Sequence, residues 1–287
     1  MHQPLSPTVR RRRLATELRR LRESQGFKLS EAAKQAGVPA STLSNIETAE
    51  ARRIKVRDID ALANLYKAPG EVREALQELA RESKEQGWWS KYKDVFGGNA
   101  LPDFEVEASM IRTYQCQVIP GLLQTPEYSE AVFRAGRAYT ESEVQRHVDA
   151  RLQRQQILNR HDPPQLWAVI DEAALRRKLD DPQIMRGQLQ HLLNIATRHN
   201  VDIQVLPFTA GMHAGLAGSF VILDFPASAD PSIVYTETAT DSLFVQDAAS
   251  VQRFVTIFAN LNSAALRAPH TLEFVRQIME SEHQHDY

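Results

Sequence analysis

Ser30-Glu31-Ala32-Ala33-Lys34-Gln35-Ala36-Gly37-Val38-Pro39-Ala40-Ser41-Thr42-Leu43-Ser44-Asn45-Ile46-Glu47 is the stretch whose reading decides the fold of the N-terminal region. Ser30 stands before Glu31 and reads as a helix N-cap, its hydroxyl able to accept an otherwise unsatisfied backbone N–H. A short helix, roughly 30–36, then turns Ala32 and Ala33 inward. Gly37 suits a tight turn, because glycine enters the left-handed region without a steric penalty. Pro39 is costly inside a helix, so a second helix starts there, roughly 40–48, burying Leu43 and Ile46. The small Ala33 lets the two helices approach, and Val38, Leu43 and Ile46 fill the space between them. Two short helices joined by a glycine-containing turn make a helix-turn-helix unit. The second helix of such a unit enters the major groove of DNA.

Outward from this stretch the pattern stays helical. Leu14, Leu18 and Leu21 recur at helical spacing over roughly 8–25, and Gly26 ends that helix. A fourth helix, roughly 56–66, brings Ile59, Leu62, Ala63 and Leu65 to close the bundle. The exposed face of 40–48 carries Ala40, Ser41, Thr42, Ser44 and Asn45, short groups that fit a groove and reach base edges. Arg52, Arg53 and Lys55 follow, and Lys28, Ser30 and Lys34 flank the preceding helix, all placed to meet phosphates. Arg10 to Arg13 read either as an arm along the DNA backbone or as a solvated tail.

Charge agrees with a polyanion-binding head. Residues 1–67 carry 14 Lys/Arg against 7 Asp/Glu, while the remainder carries 20 against 29, so the net charge of −2 hides a basic head and an acidic body. The chain of 287 residues is long enough for two domains, and 43% hydrophobic with 24% charged residues is a globular composition. No apolar run reaches the ~18 residues that span a bilayer. No apolar segment follows the N-terminal arginines, so no signal peptide is expected. The single Cys116 rules out an internal disulfide framework. A cytoplasmic protein with no membrane partner is expected.

The stretch Leu14 to Tyr66 resembles the Xre/Cro/phage-repressor family of helix-turn-helix domains, with Ser41-Thr42-Leu43-Ser44-Asn45-Ile46-Glu47 matching its recognition helix. The family often has a glycine soon after that glutamate; here Thr48-Ala49-Glu50 stands instead, which implies a differently shaped loop.

Past Pro69-Gly70 a helix of 71–86 carries Val72, Ala75, Leu76 and Leu79 on one stripe and reads as a linker. Trp88-Trp89 beside Tyr92 reads as domain packing, with ligand stacking the alternative. Gly97-Gly98-Asn99 reads as a loop, and Phe104 to Tyr114 as a helix. Thr125-Pro126 opens a helix of 126–136, and another of roughly 141–160 buries Val144, Val148, Leu152 and Leu158. Its Arg146, Arg151, Arg154, Gln155 and Arg160 read as a solvated face, with partner binding the alternative. Strands are expected at 166–170, around Ile203 and Val205, at 220–225 and at 233–236. Helices are expected from Asp171 to Leu179, from Asp181, and near 248–266 and 269–282. The fold class is therefore mostly α with an α/β C-terminal part: an all-helical helix-turn-helix head plus a mixed α+β C-terminal domain. The domains are 1–68 for the head, 69–87 for the linker helix and 88–287 for a sensor, dimerisation or partner-binding domain.

The C-terminal part resembles a domain of unknown function common in actinobacterial regulators with an Xre-type head. The resemblance rests on 104–128, Asp171-Glu172-Ala173-Ala174-Leu175, Gln188-Leu189, Val205-Leu206-Pro207-Phe208, Gly211 and Gly218-Ser219-Phe220. It implies an antitoxin-like regulator encoded beside a small partner protein. Together with the head it implies a repressor that binds double-stranded DNA as a homodimer and answers a small-molecule or small-protein signal. The alternative is a protein whose main activity is sequestering the small partner.

Signs of chemistry are few. There is no phosphate-binding loop, no dinucleotide fingerprint and no HExxH or Cys/His zinc spacing, so no enzyme, cofactor or metal is expected. Gly211 to Gly218 reads as a hairpin loop, or else a ligand loop, between two strands. Cys116 reads as a buried structural cysteine, and Asp171-Glu172 as a helix cap in preference to a carboxylate pair.

Overall fold

A computed structural model describes residues 7–51, 53–83, 87–96, 101–136, 139–226, 230–238 and 241–283. The chain divides into two compact units, meeting in sequence at Glu107 and Ala108.

The first unit is helical: α1 Pro7–Ser24, α2 Leu29–Ala36, α3 Ala40–Glu47, α4 Val56–Leu65 and α5 Gly70–Glu82. A 3-10 turn at Trp88–Tyr92 and the short α6 Lys93–Phe96 and α7 Leu101–Glu105 follow. Leu14, Leu18, Leu43, Ile46, Ile59 and Leu62 are all at most 1% exposed and make the core. Each such side chain contributes roughly 1.5–3 kcal/mol by leaving water. The helix read as a linker joins that core through Leu76 and Ala80, with Val72 and Leu79 beside them and Ala75 left exposed. Trp89 is buried and Trp88 half-buried, the two rings meeting edge-on at 6.1 Å.

Two expectations fail here. Ser30 is not the cap of α2: the helix begins one residue earlier, after Lys28, with no side-chain cap. Arg10 is neither arm nor tail. It lies inside α1, paired with Glu82 at 3.2 Å and Glu107 at 3.1 Å.

The second unit is built on six strands: β1 Met110–Gln115, β2 Gln165–Asp171, β3 Val201–Leu206, β4 Phe220–Asp224, β5 Ile233–Glu237 and β6 Ser242–Val245. Their order is β3-β2-β1-β4-β5-β6. β1, β2 and β3 run parallel, and β1, β4, β5 and β6 alternate antiparallel. The helices are α8 Pro126–Gly136, α9 Glu141–Gln155, α10 Glu172–Leu175, α11 Pro182–Ile195, α12 Ala248–Ala264 and α13 Ala268–His283. Phe258 and Leu261 of α12 pack on Tyr114, Val169, Phe220, Ile222 and Val234 of the sheet. Helices α8 and α9 pack together around a 3-10 turn at Gly121–Leu123.

The expected helix over 104–114 is overturned: α7 ends at Glu105 and β1 occupies the centre of the sheet. A strand paired on both sides is decided by its distant partners more than by local preference. Residues 211–218 are not a hairpin, since β3 lies at the edge and β4 beside β1. The helix opened by Asp171 stops at Leu175 instead of Leu179, and β6 was not expected at all. Cys116 is half-buried. The Gly97-Gly98-Asn99 reading lies outside the described residues. Among the described residues no helix is long and apolar enough to cross a membrane.

Candidate nucleic-acid interface

The turn before α3 fixes where that helix points. Gly37 sits at φ 68°, and Val38 N–H donates to Ala33 O at 2.9 Å, the wrapped ending of a helix that closes on a left-handed residue. Leu43 and Ile46 anchor the inner face of α3. Its C-terminal end is tied by Arg22 of α1, 8% exposed. Arg22 Nε and Nη2 each donate to the Glu47 carboxylate at 2.8 Å, and Nη1 donates to Phe27 O at 2.8 Å. Such a two-pronged pair, nearly out of water, locks one orientation. The sequence reading missed it, although Arg22 stands four residues after Leu18 on the buried stripe of α1.

The loop after α3 closes by its own backbone, with Glu50 and Ala51 N–H both donating to Asn45 O at 2.9 and 3.0 Å. Ala49 takes φ 60° there, the conformation a glycine adopts most easily.

The outer face of α3 is as exposed as expected at three of its five positions. Ala40, Ser41 and Asn45 are exposed, and Thr42 and Ser44 are half-buried. Among the described residues the Asn45 side-chain amide makes no hydrogen bond within the chain. Lys28, Ser30, Lys34, Arg53 and Lys55 are exposed as well, and Arg52 lies outside the described residues. Pairing separates two sets of cations. Arg19, Arg20 and Arg22 are bound to Glu23, Glu17 and Glu47. Lys28, Lys34, Arg53 and Lys55 enter no ion pair among the described residues.

Comparison with known families agrees with this geometry. Residues 13–76 match a helix-turn-helix domain family, and residues 99–277, more than half of the chain, match the domain of unknown function DUF5753. The chain belongs to the DUF5753 family. No curated protein and no solved structure matches it.

The DUF5753 region buries polar side chains where the head exposes them. Gln188 of α11, fully buried, accepts from Thr125 N at 2.6 Å and donates to Leu123 O at 2.7 Å. Gln155 of α9 donates to Gly121 O and Gln124 O at 2.9 and 2.8 Å. Residues 119–125 are thus held by amides from two helices. At the carboxyl ends of β1 and β2, Tyr114 Oη donates to Asp171 at 3.1 Å while the other Asp171 oxygen caps α10 through Ala173 N at 2.9 Å. Glu172 accepts from Phe208 N at 2.7 Å, which pins the chain leaving β3. Asp171 therefore caps a helix as expected, while Glu172 is taken up by Phe208 N–H and Arg176. Among the described residues no group of three or more His, Cys, Asp or Glu is arranged to hold a metal.

Proposed function

We propose that the chain is a sequence-specific transcriptional regulator of the Xre type. It works as a repressor, binds double-stranded DNA as a homodimer in the cytoplasm of an actinobacterium, and does so without catalysis, cofactor or metal. The observation that supports this reading is the pairing of charge in the head: Arg19, Arg20 and Arg22 of α1 are each neutralised by a glutamate, while Lys28, Lys34, Arg53 and Lys55 around α2 and α3 enter no ion pair among the described residues. Asn45, Ser41, Thr42 and Ser44, with Ala40, offer base contacts; the four cations, with Ser30 and Arg52, offer phosphate contacts. Two heads of one dimer would read half-sites about 34 Å apart.

Gel-shift titrations of the full chain on its operator and on scrambled DNA test the assignment. Asn45→Ala should cost about 1–3 kcal/mol on the operator and little on scrambled DNA; Arg53→Ala should weaken both alike and flatten the salt dependence. Equal loss of discrimination from the two changes rejects the proposed roles.

A second reading has its own support. Phe208, Met212 and Leu216 are 59%, 88% and 60% exposed within nine residues of the β3–β4 connection. Clustered apolar exposure marks protein contacts, which fits an antitoxin-like chain that sequesters a small partner protein. Co-purification from the native host that survives Met212→Glu with Leu216→Asp would reject this surface.

A further inference from the structure

The chain between β3 and β4 is pinned at both ends and held in its middle by two residues. On one side Phe208 N donates to Glu172 at 2.7 Å. On the other Ser219 Oγ accepts from Cys116 N at 3.1 Å. Just inside these pins stand two glycines. Gly211 takes φ 66° with ψ −142°, and Gly218 takes φ 128°, conformations that other residues rarely adopt. A Cβ on either would meet nothing within 4 Å, so backbone geometry and not packing calls for glycine there.

Between the two glycines Met212, Ala214, Leu216 and Ala217 are exposed, and only His213 and Gly215 are covered. His213 Nδ1 accepts from Gly215 N at 3.2 Å, and its Nε2 faces the Asp171 carboxylate at 3.7 Å. The His213 ring meets the Tyr114 ring edge-on at 6.0 Å. Gly215 packs on the same tyrosine: a Cβ there would come within 2.5 Å of the Tyr114 ring and 3.0 Å of Leu261. A segment whose apolar side chains already face water loses little burial when it swings out. The cost of opening is confined to the contacts of His213 and Gly215. Those contacts help to cover Tyr114, fully buried, and the Asp171 carboxylate to which its hydroxyl is bonded, at the carboxyl ends of β1 and β2.

We propose that residues 212–217 form a flap, hinged at Gly211 and Gly218 and latched by His213, whose opening bares the Tyr114–Asp171 pair. Met212 and Leu216 ride on the flap, so a partner protein seated there would grip the moving part. In that respect alone the flap rests on the partner-binding reading, and its test needs no partner.

Nitration of the full chain with tetranitromethane, followed tyrosine by tyrosine by peptide mass spectrometry, reads the opening. Tyr66 and Tyr128 are as deeply buried as Tyr114 and serve as controls for the rest of the fold. Below the unfolding midpoint, urea should leave the Tyr114 rate nearly flat, because the flap exposes little surface, while the Tyr66 and Tyr128 rates climb. His213→Ala removes the latch, and Gly215→Ala wedges the flap off the Tyr114 ring with His213 still present. Each should raise the Tyr114 rate about tenfold, with Tyr66 and Tyr128 unchanged. Met212→Ala, which trims an exposed side chain of the flap, should change none of the three. A Tyr114 rate that climbs with urea in step with Tyr128, or that stays unchanged in both variants, overturns the flap. So does an equal rise at all three tyrosines, which is general loosening. The partner surface stands or falls separately, by the Met212→Glu with Leu216→Asp co-purification.

Discussion

The two units place their polar chemistry on opposite sides of their cores. In the helix-turn-helix unit the groups offered to a partner face outward from α3, and the core around that helix is apolar, with the Arg22–Glu47 pair and the Tyr66 ring set into it. In the DUF5753 unit the distinctive groups point inward: Gln124, Ser129 and Gln188 are at most 2% exposed. An outward polar face needs only a stable scaffold beneath it. An inward one is stable only when each member finds its partner.

Breaking the buried Arg22–Glu47 pair of the head should have the largest effect. Arg22→Ala, or Glu47→Ala, leaves an uncompensated charge and should lower the stability of the first unit by about 3–5 kcal/mol. Hydrogen exchange on the full chain would show residues 7–83 losing protection while β1 to β4 keep theirs. The matching change in the body is smaller, because Gln188 is neutral. Gln188→Ala should cost about 1–3 kcal/mol, the penalty for orphaning Thr125 N–H and Leu123 O, seen in the exchange of 119–125. Loss of protection in both units from either variant would break the comparison.

Backbone strain sharpens it further. Gly37→Ala forces a side chain into the left-handed region and should cost about 1 kcal/mol, while Ala49→Gly relieves that strain and should gain about 0.5–1 kcal/mol. Denaturant midpoints of the first unit give both signs.

The smallest effect is one of pH and belongs to the body. Burial, and then Arg198, lower the pKa of His191 of α11 below its ordinary 6.5. The unfolded chain therefore takes up the proton more readily. The His191 contribution is whole above pH 6.5 and falls away as the pH drops from there to the lowered folded value. The melting temperature of the second unit should decline over that window, and His191→Gln should remove that part of the decline.

This contrast also explains what could be read from the amino-acid order. The head's helices follow from local periodicity: Leu14, Leu18, Leu43, Ile46, Ile59 and Leu62 repeat at helical spacing and are all buried. The body depends on partners far apart in sequence. β1 was read as helix because Val106, Met110 and Ile111 suit a helical stripe, and only β2 and β4 decide otherwise. One signal was available and read the wrong way. Val144, Val148, Arg151, Gln155 and Leu158 stand at three- and four-residue steps, so the apolar stripe itself placed Arg151 and Gln155 on the inner face.

The position of β1 also sets an order of events. Tyr114 pairs with Val169 on one side and Phe220 on the other, so the sheet cannot close around β1 until the chain has been made as far as β4. The head needs nothing beyond residues near its own. At about 5–20 residues per second, it emerges from the ribosome complete on the order of ten seconds before the centre of the sheet can form. A chain interrupted in that interval carries a finished helix-turn-helix without a folded body.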